Sequence, residues 1–347
     1  MVAHFIATKR MNERGVILGF SGGMDSTTAA LRLRHEGYRV IALTLDCTGD
    51  SAMLRRAEQR AKECGVEWQV YDAREEFRRE IIDYFVESYR MGLTPAPCTR
   101  CNTLIKWRLM ERVADSLGIE HIATGHYFNI EQHGDRLFVA RGKDSTKDQS
   151  YYLWGVGQST LRRALTPMGG LIKSEIRESF DDRSESMGVC FLGGEHYADF
   201  IARRGVELRC GEVLLRSGEV CGEHNGIARY TIGQRRGAGI PEGMRVVDID
   251  AANNRLRVGG MEELYKHHLY IRECNITDRD MLLSAKDITI KIRGIGRTPE
   301  RSVEVEPWGD GYAIFSPEAA WAPAKGQPLV FFRDNLVIGG GIVVDYK

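Results

Sequence analysis

Hydrophobic and polar positions along residues 15–127 follow two alternating periods. Short, continuously apolar runs are typical of strands buried on both faces of a sheet. The stretches between them repeat apolar residues every three to four positions, as amphipathic helices do. Strands that alternate with helices predict a parallel sheet covered by helices. We expect its four strands at GVILGF, YRVIALTLD, EWQVYDA and IEHIATGHY.

The pattern changes after about residue 195, where glycine-rich segments and short β-type runs replace the long helical repeats. From about residue 265, strand-sized runs separated by turn signals predict a small all-β barrel or sandwich. We therefore predict an α/β domain over residues 1–194, a small central domain over 195–262, and a C-terminal β-barrel-like domain over 263–347.

Composition narrows the class of protein. Of the 347 residues, 43% are hydrophobic and 28% are charged, as in soluble globular proteins. No apolar run approaches the roughly 18–20 residues that span a bilayer, and MVAHFIATKRMNERG shows no apolar export signal. We expect a cytoplasmic protein without a membrane partner. Lys plus Arg and Asp plus Glu both number 48, so nucleic-acid binding would require a local basic patch.

The segment GFSGGMDST, at the junction of the first predicted strand and helix, has the chemistry of a phosphate site. Gly22 and Gly23 allow backbone N–H groups to approach an anion, and the helix N-terminus favours negative charge. The hydroxyls of Ser21 and Ser26 add donors, whereas Asp25 is suited to holding Mg²⁺. The chain contains no GxxxxGK[ST] motif, which excludes the kinase-type phosphate loop.

Two of the eight cysteines, Cys98 and Cys101, form a CxxC motif. In a reducing compartment this spacing favours metal binding or catalysis over a structural disulfide. We expect Cys101 to precede a helix, where the helix dipole would stabilise a thiolate. Five other cysteines match no motif, and we interpret them as packing residues: Cys47, Cys64, Cys210, Cys221 and Cys274.

SGGMDS after a strand resembles the loop of the PP-loop ATP pyrophosphatases, which split ATP between the α and β phosphates. Within that superfamily, six further motifs in one order resemble the tRNA-specific 2-thiouridylases, the MnmA/TrmU family, from about residue 15 to the C-terminus. The motifs are TPAPCTRCNTLIKW, ATGHYF, KDQSYYLWGV, GVCFLGG, HNGIARYTIGQRRGAGI and KGQPLVFF…VIGGGIV.

The resemblance implies a PP-loop fold and ATP-dependent 2-thiolation of the wobble uridine in a tRNA anticodon loop. ATP would adenylate the C2 oxygen, and a sulfur nucleophile would then displace AMP. The target base would have to leave its stack to reach the pocket. A persulfide or sulfide donor protein is implied as a second partner.

The resemblance also assigns roles to residues. Cys101 matches the nucleophile and Cys190 matches the persulfide-carrying cysteine. The nucleotide site would comprise Gly19, Phe20, Ser21, Gly22, Gly23, Met24, Asp25, Ser26, Leu45 and Gly125. The tRNA substrate would contact Pro97, His126, Lys147, Asp148, Gln149 and Gln327. From its composition, the segment TIGQRRGAG also suits RNA phosphates through Arg235 and Arg236, although a solvated hairpin is an equal alternative.

This chain departs from the family at Cys98, where the common form PDxxCN has an aspartate. A thiol has an ordinary pKa near 8.5 rather than about 4, so the proton chemistry differs. Cys98, Cys101 and Cys190 would hold a [4Fe–4S] cluster with one open iron, or act as a persulfide relay, or bind structural zinc, for which a fourth ligand is missing.

Two other functions remain open from the sequence. One is a different PP-loop adenylating enzyme, such as an amide-forming synthetase, which the paired cysteines disfavour. The other is a non-catalytic tRNA- or iron–sulfur-binding relative, which the intact SGGMDS disfavours.

Overall fold

The computed structural model describes residues 14–177, 188–293 and 299–347. The N-terminal segment inspected for an export signal therefore lies almost wholly outside the described residues, as do residues 178–187 of the predicted first domain. Among the described helices, none is both long and apolar enough to span a bilayer.

The first part of the chain forms the predicted parallel sheet. It has five strands, because the two-residue strand Ala164–Leu165 joins the four predicted ones. The spatial order is Glu67–Asp72, Arg39–Asp46, Gly15–Gly19, His121–Thr124 and Ala164–Leu165. The central strand is fully buried at Val16, Ile17 and Leu18, which explains its continuous apolar run.

Helices cover both faces of this sheet, as predicted. Two of the longer ones end where glycine adopts a left-handed conformation, at Gly65 and Gly118, because that conformation costs glycine little. The α-helices here are Met24–His35, Ser51–Cys64, Arg74–Phe77, Asp83–Arg90, Pro97–Cys101, Trp107–Leu117, Gln158–Arg163 and Lys173–Arg177, with π-helical turns at Arg78–Ile82 and Asn102–Lys106 and a 3₁₀ turn at Ser150–Leu153.

The central region carries helix Tyr197–Arg203 and a four-stranded sheet. One pairing in that sheet is parallel and the others are antiparallel. Three 3₁₀ turns lie within or beside it, at Cys190–Leu192, Ile227–Arg229 and Met261–Leu264. The strand order is Arg245–Asp250, Arg255–Gly259, Gly211–Leu214 and Val220–His224.

The last part of the chain is antiparallel β-structure with one short helix, Arg279–Ser284, which confirms the predicted fold class. Its main path runs through strands Ile288–Lys291, Pro328–Arg333, Leu336–Tyr346, Tyr265–Ile276, Gly311–Trp321 and Glu304–Trp308.

The C-terminal sheet is continuous with the N-terminal part of the chain. A hairpin of strands Phe128–His133 and Arg136–Arg141 adds to it, with Ala140 paired to Leu336. Tyr151 donates to the carbonyls of Ile292 and Pro328 at 2.8 and 3.1 Å. Hydrophobic side chains of the last two strands also join the core of the parallel sheet. The division at residues 194 and 262 stays a prediction.

Candidate active site

The phosphate loop lies where ligands bind in open α/β sheets. Chain order reverses between the central strand Gly15–Gly19 and its neighbour His121–Thr124. The crevice beyond the carboxyl ends of two such strands is a preferred ligand site. One strand leads into Phe20–Ser26, and the other leads into Gly125, His126 and Tyr127.

Hydrogen bonds among residues 21–26 fix the conformation of the phosphate loop where helix Met24–His35 begins. Ser21 N donates to Ser26 Oγ at 3.3 Å, Gly23 N donates to Ser21 Oγ at 3.3 Å, and Ser26 Oγ donates to the carbonyl of Gly23 at 3.1 Å. Gly22 has φ +70°, and a Cβ there would lie 2.7 Å from the Cα of Ala57. Only glycine therefore fits this position.

The other wall of the crevice packs directly against the loop. A Cβ on Gly125 would lie 2.9 Å from the backbone nitrogen of Ser26. The Tyr127 side chain contacts the start of helix Met24–His35, where its hydroxyl donates to Asp25 Oδ1 at 2.9 Å. Lys173 donates from Nζ to the same oxygen at 2.5 Å. The loop, the Gly125 segment and Lys173 therefore meet at Asp25.

Magnesium would find one suitable ligand here. The Asp25 side chain is 37% exposed beside the loop, and Mg²⁺ in nucleotide sites is commonly held by one or two carboxylates together with substrate phosphates. Asp25 therefore fits the predicted role, in which the ion would screen the charge of the phosphates. Leu45, one residue before the end of strand Arg39–Asp46, packs against two hydrophobic clusters.

Cys98 and Cys101 lie inside a continuous helix of residues 97–117, which we call the cysteine helix. The helix begins at Pro97, whose ring fixes the φ angle required at a first helical position. The prediction that Cys101 precedes the helix is therefore wrong. Arg100 ties the helix to the preceding one by donating to the Glu80 carbonyl at 2.8 Å and lying over the Tyr84 ring.

The ring of Phe191, next to Cys190, packs against the helical residues 74–90 in the hydrophobic cluster that also contains Cys101. Phe191 packs edge-on against Phe77 and Phe85, with ring centroids 5.8 and 5.1 Å away. Cys101, Cys47 and Phe191 belong to the same hydrophobic cluster. Cys47, interpreted from the sequence as a packing residue, thus also lies beside the reactive thiols.

Burial controls the acidity of these thiols. Burial raises the pKa of Cys101 to about 12. The charge of Lys106 opposes this rise, and the charges of Cys190 and Cys98 add to it. Cys98 and Cys190 are more exposed than Cys101, but desolvation by the surrounding protein also raises the pKa of each, again opposed by Lys106. Burial and the charges of Cys101 and Cys190 raise the pKa of Cys47 further. All four thiols are therefore protonated at neutral pH.

Lys106 links the thiols to the nucleotide crevice. Its ammonium acts on all four cysteines, and it follows burial as a cause of the lowered pKa of His126. The lowered pKa keeps the His126 ring neutral and resistant to protonation, and its Nδ1 pairs with Thr124 Oγ1 at 2.7 Å. Sequence reasoning missed Lys106, although its position five residues after Cys101 on one helix was visible.

The three predicted cluster ligands do not form a metal site in the described structure. Within residues 14–177, 188–293 and 299–347, no three His, Cys, Asp or Glu side chains are grouped to hold a metal ion. All eight cysteines are free thiols. The donor set does not fit structural zinc, and we derive no step through a cluster.

The predicted tRNA contacts of the segment Lys147–Gln149 lie beside the crevice, but two of their side chains are used internally. Gln149 accepts from Tyr127 N at 3.0 Å through Oε1. Asp148 is 4% exposed and accepts from Gly142 N and Ser150 N at 3.0 and 3.2 Å. These contacts, and those of Pro97 and Lys147, stay predictions.

Gln327 lies near the approach to the cysteine helix. Thr94 N donates to the Lys325 carbonyl at 2.8 Å, and a Cβ on Gly326 would touch Leu93. The Oε1 atom of Gln327 is buried without a hydrogen-bond partner among the described residues. Arg236 lines a cavity of about 350 Å³ with Tyr197 and Arg229, and Tyr197 also packs against the hydrophobic cluster that contains Cys101.

Comparison with known proteins gives matches along most of the chain. The family model described as "tRNA methyl transferase HUP domain" matches residues 14–194, and the one described as "tRNA methyl transferase PRC-barrel domain" matches residues 198–260. The tRNA-specific 2-thiouridylase MnmA 1 of Bacteroides fragilis is 36% identical over 353 residues, covering 94% of this chain and 96% of its own. The tRNA-specific 2-thiouridylase MnmA of Amoebophilus asiaticus is 37% identical over 362 residues, with 95% of each chain covered.

Proposed function

We infer, from the premise that this chain belongs to the tRNA-specific 2-thiouridylase family, that it is an ATP-dependent tRNA-uridine 2-sulfurtransferase. It belongs to the family because relatives at 36–37% identity match it over nearly their whole length. The observation that carries the proposal is the phosphate loop, where the Gly125 segment, Tyr127 and Lys173 meet Asp25 at the carboxyl edge of the parallel sheet.

The first step of the proposed reaction takes place at the phosphate loop. The C2 oxygen of the uridine attacks the α-phosphorus of ATP, and the bond to the β-phosphate breaks so that pyrophosphate leaves. A carbonyl oxygen is a poor leaving group, whereas the AMP formed on it is a good one. The backbone N–H groups at the start of helix Met24–His35 would bind the phosphates.

The second step takes place at the thiols. The terminal sulfur of a persulfide on Cys190 attacks C2, and AMP leaves with the former uridine oxygen. Cys101 then attacks the sulfur of Cys190, which releases 2-thiouridine and leaves a disulfide that an external dithiol reduces. Cys98 would serve as a third thiol in this relay.

The proposal is tested with purified protein, ATP, unmodified tRNA and a small-molecule persulfide. We expect one pyrophosphate for each 2-thiouridine, which mass spectrometry of the digested nucleosides would detect. Pyrophosphate release without any thiolated nucleoside would instead favour another adenylating activity. No ATP turnover with tRNA would support the non-catalytic alternative.

Iron content separates the two sulfur-transfer routes. We expect anaerobically purified protein to thiolate tRNA from a persulfide without bound iron. About four irons and four sulfides per chain, lost in Cys98→Ser, Cys101→Ser or Cys190→Ser, would overturn the thiol relay in favour of a cluster. An active, iron-free Cys98→Asp variant would count against any obligatory cluster.

A further inference from the structure

A buried lysine far along the chain from the phosphate loop reaches into the nucleotide crevice. Lys173 is 7% exposed, and lysine is rarely so buried unless its charge is paired. Its ammonium donates to Asp25 Oδ1 at 2.5 Å and lies 5.6 Å from the centre of the Tyr127 ring. The cation is therefore next to the start of the helix Met24–His35.

The ammonium has more donors than this contact uses. A lysine ammonium carries three N–H donors, and within the described part of the chain its hydrogen-bonding partner is Asp25 alone. That carboxylate is partly exposed and also accepts from the Tyr127 hydroxyl. The site thus holds a buried cation beside a loop whose backbone suits an anion.

Hydrogen bonds between residues 143–146 and residues 169–173 hold the backbone of Lys173 in this position. Asp144, 9% exposed, accepts from Lys173 N at 2.9 Å, and its other oxygen accepts from Thr146 N and Oγ1 at 3.0 and 2.6 Å. Lys143 N donates to the Gly169 carbonyl at 2.8 Å. Residues 143–146 and 169–173 are therefore tied together, and the Lys173 side chain starts from a fixed backbone.

We propose that Lys173 is a phosphate-binding residue of the ATP site, which pairs with the pyrophosphate portion of ATP. This inference rests on the proposed function. As the bond between the α and β phosphates breaks, its electron pair moves onto the pyrophosphate oxygen, and a fixed cation there stabilises the developing charge. In the absence of nucleotide, Asp25 keeps the buried ammonium paired.

The test compares ligands that do and do not carry the β-phosphate. Binding of ATP, pyrophosphate, AMP and adenosine to the full-length protein is measured by calorimetry for the wild type, Lys173→Met and Lys173→Gln. We expect ATP and pyrophosphate to bind about 10- to 100-fold more weakly to both variants, as for the loss of a charged hydrogen bond. Binding of AMP and adenosine should change less than about threefold.

Equal weakening of all four ligands would overturn the proposal, since that is the result of a purely structural ion pair with Asp25. Unchanged ATP binding would overturn it as well. Lys173→Gln keeps a side-chain donor for Asp25, so it remains informative if Lys173→Met fails to fold. The exposed Lys286 supplies the matched control, Lys286→Met, which should bind all four ligands as the wild type does.

A failure of the proposed function would be distinguishable from a failure of this inference. Wild-type protein that binds ATP but forms no 2-thiouridine would refute the reaction, while the ligand comparison would still report on Lys173. With the reaction intact, we expect the rate of tRNA-dependent pyrophosphate release at saturating ATP to fall in Lys173→Gln. An unchanged saturated rate would contradict a role in the bond-breaking step.

Discussion

At the scale of single residues, the chemistry depends on thiols that are protonated when the site is at rest. The sequence predicts a thiolate at Cys101, but the structure places this thiol 7% exposed inside a helix, where desolvation disfavours the charged form. Lys173 supplies a buried positive charge, and Lys106, which is half-buried, supplies a second one near the thiols. Neither was predicted: Lys106 lies close in sequence to Cys98 and Cys101 but far from Cys190 and His126, on which it also acts. Lys173 contacts Asp25, which is 148 residues away in the chain.

The two steps should separate in single-residue variants. We expect Cys101→Ser to form 2-thiouridine at less than about a thousandth of the wild-type rate, as for loss of a nucleophile, while it still releases pyrophosphate once per bound tRNA. Asp25→Ala should lose both activities, since it acts in the first step. Cys210→Ser, at an exposed thiol, is the control. Full thiolation by Cys101→Ser would refute its assignment.

The reactivity of Cys101 should depend on pH in a defined direction. Because its pKa is raised to about 12, its thiolate fraction should rise about tenfold per pH unit between pH 7 and 11. Site-resolved iodoacetamide labelling followed by mass spectrometry would measure this, with glutathione as the reference. Lys106→Gln should slow labelling further, since it removes the cation that lowers the pKa. A plateau below pH 9 would contradict this account.

At the scale of elements, local patterns predicted most of the α/β part. The continuous apolar runs and helical repeats gave the strands and helices of residues 15–127 because both depend on short-range periodicity. The start of the cysteine helix was missed, although Pro97 in its first position was an available signal. The short strand Ala164–Leu165 was also missed, since two residues carry no readable period.

A substitution at Gly125 should reveal how closely the end of strand His121–Thr124 packs against the start of helix Met24–His35. In Gly125→Ala the new Cβ would press on the backbone of Ser26, so the strand end and the phosphate-loop helix must separate. Overpacking of this kind costs about 1–3 kcal/mol. We expect a lower free energy of unfolding and a higher KM for ATP. Gly170→Ala, which has open space around its Cβ, should match the wild type, and equal effects in both variants would refute the packing argument.

At the scale of the whole molecule, the N-terminal sheet and the C-terminal sheet are joined. The sequence predicted the C-terminal β-structure but not its position, because the pairing of Ala140 with Leu336 links residues that no local pattern connects. The backbone hydrogen bond from Thr94 to Lys325 places Gln327 near the segment before Pro97. The prediction of a tRNA contact at Gln327 depends on this arrangement.

The Tyr151 hydrogen bonds between the N-terminal part of the chain and the C-terminal sheet should contribute to the free energy of unfolding. Tyr151→Phe removes the hydroxyl that donates to Ile292 and Pro328 carbonyls and leaves buried acceptors without that partner. We expect the free energy of unfolding to fall by about 1–3 kcal/mol, measured by urea denaturation. Tyr265→Phe, at an exposed position, should fall within about 0.5 kcal/mol of the wild type. A similar loss of unfolding free energy in both variants would argue against a stabilising role of the Tyr151 hydroxyl.

Oxygen transfer tests the central claim, adenylation of the uridine C2 oxygen, most directly. A substrate tRNA carrying ¹⁸O at C2 of the target uridine would be thiolated in a single turnover, and the mass of the AMP released would be measured. Adenylation predicts that one ¹⁸O atom appears in the phosphate of AMP for each 2-thiouridine formed. Thiolation that leaves AMP unlabelled would contradict the account.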